Sequence, residues 1–256
     1  NYDLTTGVDP ELLAGAMRAM AGPDFGILGG GGLYRYMPTT GGRPDIGILT
    51  LWNTVWLVTQ HKDAARFALA QADAAGSVPW HFFDATAGTA ISPLRYPRLW
   101  VDYRGGRWGT IPLTQPQVDT GWTPDIAHQP DLSYLPYILT GVRYRYDQLE
   151  AQALYSIFAH NPDYRRDARG IVVHEGEQVR ARAWGFRALD EAAFIAPDDA
   201  TLRPYFQAVV RDCIDYLTQD MRARSKGEVF GTLQDGTDSP KGRGTAPWQQ
   251  DFVASV

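Results

Sequence analysis

Three stretches of the chain share one plan: an apolar run of helical character, a break of a few residues, then a second amphipathic run. The first opens at Asp45, continues through LTLWNTVWLVTQ, breaks at His61-Lys62-Asp63 and resumes as AARFALAQADAAG. In the second, LSYLPYILTG is followed by RYDQLEAQALYSIFAHN. In the third, QVRARAWGFRALDEAAFI breaks at APDD before LRPYFQAVVRDCIDYL. A fourth begins at Pro247-Trp248 and stops at DFVASV. The pattern predicts an all-α chain of tandem antiparallel helical hairpins. Each hairpin has an apolar face that only its neighbours can bury, so the repeat sets the architecture before any single residue does.

Composition narrows the function classes. With 256 residues, 44% of them hydrophobic, the chain can build a substantial core. Its 24 Lys and Arg against 29 Asp and Glu leave a formal charge of -5, so no global positive field draws it to nucleic acid or an anionic membrane. The single cysteine, Cys213, lies inside an amphipathic run and reads as a small buried hydrophobe, without a disulfide framework or a thiolate metal cluster. No apolar run is long enough to cross a bilayer. The chain starts at Asn1 without a methionine and reads as a segment of a longer polypeptide or a processed product, so its compartment is left open.

A first helix is predicted over 9–21, ending before Gly22-Pro23. The segment ILGGGGLYRYMPTTGG reads as a connector, since no Gly-Lys-Ser/Thr follows its glycines to bind phosphate. A long irregular region from about Ser77 to Pro130 is rich in Pro, Gly, Trp and Tyr, and RLWVDYR with GRWGTIPL predicts a short β-hairpin around Gly105-Gly106. No domain boundary is read within 1–256. Turns within hairpins are short and connections between them long, so the long connections are expected to gather at one end, around the starts of the inner helices.

The polar groups collect at those starts. They are Arg43-Pro44-Asp45, then DIAHQPD from Asp125 to Asp131, then EQVRARAW from Glu177 to Trp184, and WQQD from Trp248. The long insertion adds Trp80, His81 and Asp84, with Trp100, Tyr103, Trp108 and Trp122. Carboxylates for proton transfer and flat aromatic faces for sugar rings are what a polysaccharide site requires.

Tandem hairpins with acids at inner-helix starts resemble the (α/α) toroid scaffold of six-hairpin glycosidases and related polysaccharide lyases. The blocks GGRPDIG, AHQPDLSYLPYILTG and RARAWGFRALDEAAF are also similar to uncharacterised large bacterial and phage-associated proteins. The first resemblance implies part of a toroid, about three and a half hairpins of it, and glycoside hydrolysis through paired carboxylates.

Asp45 and Asp125 are the expected carboxyl pair, with His128 beside them. A helix N-terminus favours an ionised Asp by only about 0.3–1 kcal/mol, whereas burial raises a carboxyl pKa by up to about 3–5 units. Asp45, capped and hydrated, suits a base or nucleophile, and Asp125 near Trp122 suits a raised-pKa acid. The plain alternative for each is an N-cap. Trp80, His81, Asp84, Trp122, Gln129, Arg180, Arg182 and Trp184 are the expected substrate-binding groups. Asp125, His128 and Asp131 stand at spacing three and three but lack an established metal spacing, so no metal or other cofactor is assigned. His61, His160 and His174 lie at turns or in an insertion and carry less weight. Two other readings stay open: a lyase using Tyr134 or Tyr137 near a histidine, and a non-catalytic glycan-binding or structural module held among other chains of a larger assembly.

Overall fold

A computed structural model describes residues 7–39, 41–101, 121–224, 233 and 247–256. It is mostly helical, 54% helix against 3% strand, which bears out the all-α reading. The hairpin expected around Gly105-Gly106 lies outside the described residues. Among those described, one small antiparallel pair occurs, β1 (Phe83–Asp84) against β2 (Thr89–Ala90), with Phe83 opposite Ala90. No described helix is long and apolar enough to cross a membrane.

The chain divides into two compact units. The first comprises Asn1–His81, Gln117–Asp125 and Gln129–Leu149; the second comprises Phe82–Pro116, Ile126–His128 and Glu150–Val256.

In the first unit, α1 (Pro10–Met20) starts where Asp9 accepts the Glu11 N–H at 2.8 Å, with Pro10 at the position that lacks an intrahelical donor role. α2 (Leu51–Thr59) is capped by Thr50, whose hydroxyl accepts the Asn53 N–H. It ends at Gln60, which adopts a left-handed φ of 55°. His61 then caps α3 (Lys62–Ala74) by accepting the Asp63 N–H. The break predicted at His61-Lys62-Asp63 is therefore a left-handed turn followed by a new N-cap. Trp52 of α2 and Phe67 of α3 stack at 4.7 Å between ring centroids, and Ala16, Ala64 and Ala68 complete the core beneath Leu13, Met17 and Phe25. α4 (Tyr134–Thr140) stops at Gly141, φ 65°, and α5 (Arg143–Phe158) follows at once.

In the second unit, α6 (Val179–Ile195) is buried almost all round, from Val179 through Ala193. It packs against α7 (Arg203–Arg224) and α8 (Pro247–Ser255). Alanines at 181, 183, 188, 192 and 193 keep its surface low, so neighbours approach closely. Phe206, Val209 and Cys213 of α7 are buried, and the Cys213 thiol points at the Gly170 carbonyl, 3.8 Å away. Trp184 meets Phe252 of α8 at 4.0 Å.

Candidate functional site

The two expected carboxyls, Asp45 and Asp125, do not stand at the helix starts that the repeat pattern suggested. Asp45 is 3% exposed and ion-paired with Arg43 at 2.8 Å, both side chains sealed from solvent. It does not start α2, whose cap is Thr50. Nor does Asp125 cap a helix: the acid accepting from the head of α4 is Asp131, through the Tyr134 N–H. Both expected N-caps are thus corrected, because each helix begins several residues after its acid.

The other expected residues divide between the units. Trp80 and Trp122 are buried in the first, Trp122 with the Arg35 guanidinium 5.3 Å over its ring, and Gln129 is fully buried there. His81, also in the first, meets the Val78 carbonyl at 2.9 Å and the Gln148 side chain. Asp84, His128, Arg180, Arg182 and Trp184 belong to the second unit. Burial of Asp84 raises its pKa, but N–H groups of Ala87 and Thr86, the Tyr96 hydroxyl and the Arg95 charge outweigh this and hold it below the usual carboxylate value. It is a turn-forming acid. Arg180 donates to Gln178 at 2.7 Å, and its own N–H is accepted by Gln249 of α8, so the leading ends of α6 and α8 meet.

A different set converges in the second unit, on the segment that joins α5 to α6. His160 follows the end of α5. The chain then turns at Asn161, whose side chain accepts the Asp163 N–H, and passes through Arg166 and Asp167, both left-handed at φ 58° and 54°. It reverses at Gly170 and returns through the fully buried Ile171-Val172-Val173 to His174. Arg165 pins this turn from inside, donating to the carbonyls of Ile157, Pro97 and Leu99 at 3.0, 2.7 and 2.6 Å. Four left-handed non-glycine residues occur in the described chain, and two are here. Such strain, about 1–3 kcal/mol per residue, is held where the surroundings over-determine it.

The reversal brings His160 Nδ1 to 2.9 Å from His174 Nε2, with the rings edge to face. A Glu177 oxygen lies 3.9 Å from His160 Nδ1. The network assigns the protons. Gly176 N–H donates to His174 Nδ1 at 3.2 Å, so His174 carries its hydrogen on Nε2 and donates to His160. A Cβ at Gly176 would stand 3.2 Å from that Nδ1, a tight contact that glycine avoids. His160 Nε2 then bears a proton that finds no acceptor among the described residues. Burial, followed by the neighbouring His174, Arg165 and Arg182 charges, holds the His160 pKa well below the ordinary histidine value. Burial and Arg182 bring His174 down to about 4. Both rings are neutral near pH 7. Arg182, one of the expected site residues, is completely buried and donates to the Glu177 carbonyl, fixing the backbone that carries this acid.

Outward from His174 the site opens into a cavity of about 370 Å³ lined by Asp163, Tyr164, Arg166, His174, Glu175, Gly176 and Tyr216. The Tyr164 ring lies nearly parallel to His174, 5.4 Å between centroids, and is 60% exposed. Arg166 stacks its guanidinium 5.2 Å over Tyr216. Asp163 pairs with Arg98 at 2.8 Å. No protein family, no curated protein and no solved structure matches the chain.

Proposed function

We propose that the protein is carbohydrate-active and cleaves an acidic polysaccharide at the cavity beside His174, on a scaffold that forms part of an (α/α) toroid. The observation that carries this reading is the lining: two tyrosine faces, an arginine, a histidine and two acids around one opening of about 370 Å³. Aromatic faces suit the C–H side of sugar rings, and a guanidinium suits a uronate carboxylate. The meeting of the α6 and α8 leading ends at Arg180 and Gln249 supports the scaffold.

Of the two cleavage chemistries, elimination is favoured by the Tyr164–His174 stack beside Arg166. Arg166 binds the sugar carboxylate and draws electron density from the adjacent carbon. The Tyr164 oxygen, after giving its own proton to solvent, takes that carbon's proton. The released electron pair forms a carbon–carbon double bond as the glycosidic C–O bond breaks, and the departing oxygen leaves with a proton from solvent or from the same tyrosine. Hydrolysis is the second reading, favoured by Asp163 and Glu175 lining the same cavity.

A panel of uronate-containing and neutral polysaccharides, incubated with purified protein, tests both. Elimination yields unsaturated, ultraviolet-absorbing ends; hydrolysis yields saturated reducing ends. Tyr164→Phe is expected to lower turnover by about 100-fold or more, the scale of a lost acid–base group, and Arg166→Ala to raise KM for uronate substrates. Cleavage that neither substitution alters would place the chemistry elsewhere. Binding without cleavage would make this a glycan-binding module.

A further inference from the structure

We infer that His160, His174 and Glu177 form a binding site for a divalent transition-metal ion of the zinc class. The three ligand atoms, one per residue, all lie within 4.8 Å of one another. Tetrahedral zinc with bonds of about 2.0–2.2 Å spaces its ligand atoms by about 3.3–3.6 Å. The pair at 2.9 Å and the pair at 3.9 Å bracket that spacing, so small rotations of the two rings and the Glu177 side chain accommodate the ion. Two imidazoles and one carboxylate are a donor set for zinc or ferrous iron, and three protein ligands leave a position for water or substrate.

Second-sphere features point the same way. Arg182 holds the Glu177 carbonyl, and the Gly170 reversal and buried Ile171-Val172-Val173 fix where His174 sits. Two effects oppose binding. Arg165 and Arg182 repel a cation, but Arg165 is turned onto three carbonyls and the Glu177 carboxylate supplies countercharge. Coordination through His174 Nε2 also moves that ring's proton to Nδ1, displacing the Gly176 N–H contact.

The test is zinc binding to metal-stripped whole protein, measured by calorimetry and by metal content after dialysis, with no glycan present. The expected result is one zinc per chain, weakened about 100-fold or more by His160→Ala or by His174→Ala. The conservative Glu177→Gln should bind more weakly than the parent while keeping the same circular dichroism. If the histidine variants do not fold, cobalt substitution of the unaltered protein decides: a four-coordinate nitrogen–oxygen visible spectrum is expected. Absence of that spectrum, or zinc affinity unchanged in folded variants, overturns the site and leaves a hydrogen-bonded histidine pair. Metal binding and glycan cleavage are read separately, so loss of either proposal leaves the other standing.

Discussion

Arg43 and Asp45 illustrate how far a residue's role depends on what closes over it. The pair is buried, and Arg43 also donates to the Met37 carbonyl at 3.0 Å and lies over the Tyr34 ring. Arg43→Ala would strand a carboxylate in the interior, and a loss of about 3–5 kcal/mol is expected in chemical denaturation. Asp45→Asn should leave glycan turnover unchanged once the lower stability is allowed for. The histidines respond to pH with a definite sign. His174 titrates at about 4 in the fold and near 6.5 in the unfolded chain, so the unfolded chain binds more protons between these values. Stability is therefore undiminished above about pH 6.5 and falls as pH drops towards 4, by about 3 kcal/mol from this residue. Urea midpoints measured across that range check the slope, and His174→Gln should lessen it, His160 contributing in the same direction. Neither histidine stood out in the sequence. They are fourteen positions apart, outside any metal-ligand spacing, and what joins them is a turn through Arg166 and Asp167 in a conformation that their residue types do not advertise.

Helices were legible where apolar period and caps coincided. Asp9-Pro10 marked α1, and the breaks after LTLWNTVWLVTQ and at APDD fell between helices. Helix starts were harder, because an acid near an apolar run need not be its cap: Thr50, five residues after Asp45, takes that role. α6 offers a test of packing. An added Cβ at Gly185 would sit 3.4 Å from Val172 and 3.8 Å from Ser156, ordinary contact distances. Gly185→Ala should raise stability by about 0.5–1 kcal/mol through helix propensity, read as a higher thermal midpoint. In α7, Phe206→Ala should cost about 3–5 kcal/mol, because its ring is wholly enclosed.

At the scale of the whole molecule, the helical composition followed from local signals, whereas the candidate site depends on long-range closure of an irregular segment. The repeat pattern directed attention to helix starts, and it reached Arg180, Arg182 and Gln249 in the second unit. It passed over Tyr164 and Arg166, since a polar connector reads as solvent-facing until a cavity is known to lie beneath it. One interior group also provides a clock for the molecule. Cys213 is the chain's single cysteine, enclosed within α7, with burial pushing its thiol up to about 12. An alkylating reagent can reach that sulfur only when the second unit opens. The pace of single-site labelling in native buffer therefore times that opening, and any ion or sugar bound beside His174 should slow it in proportion to its occupancy.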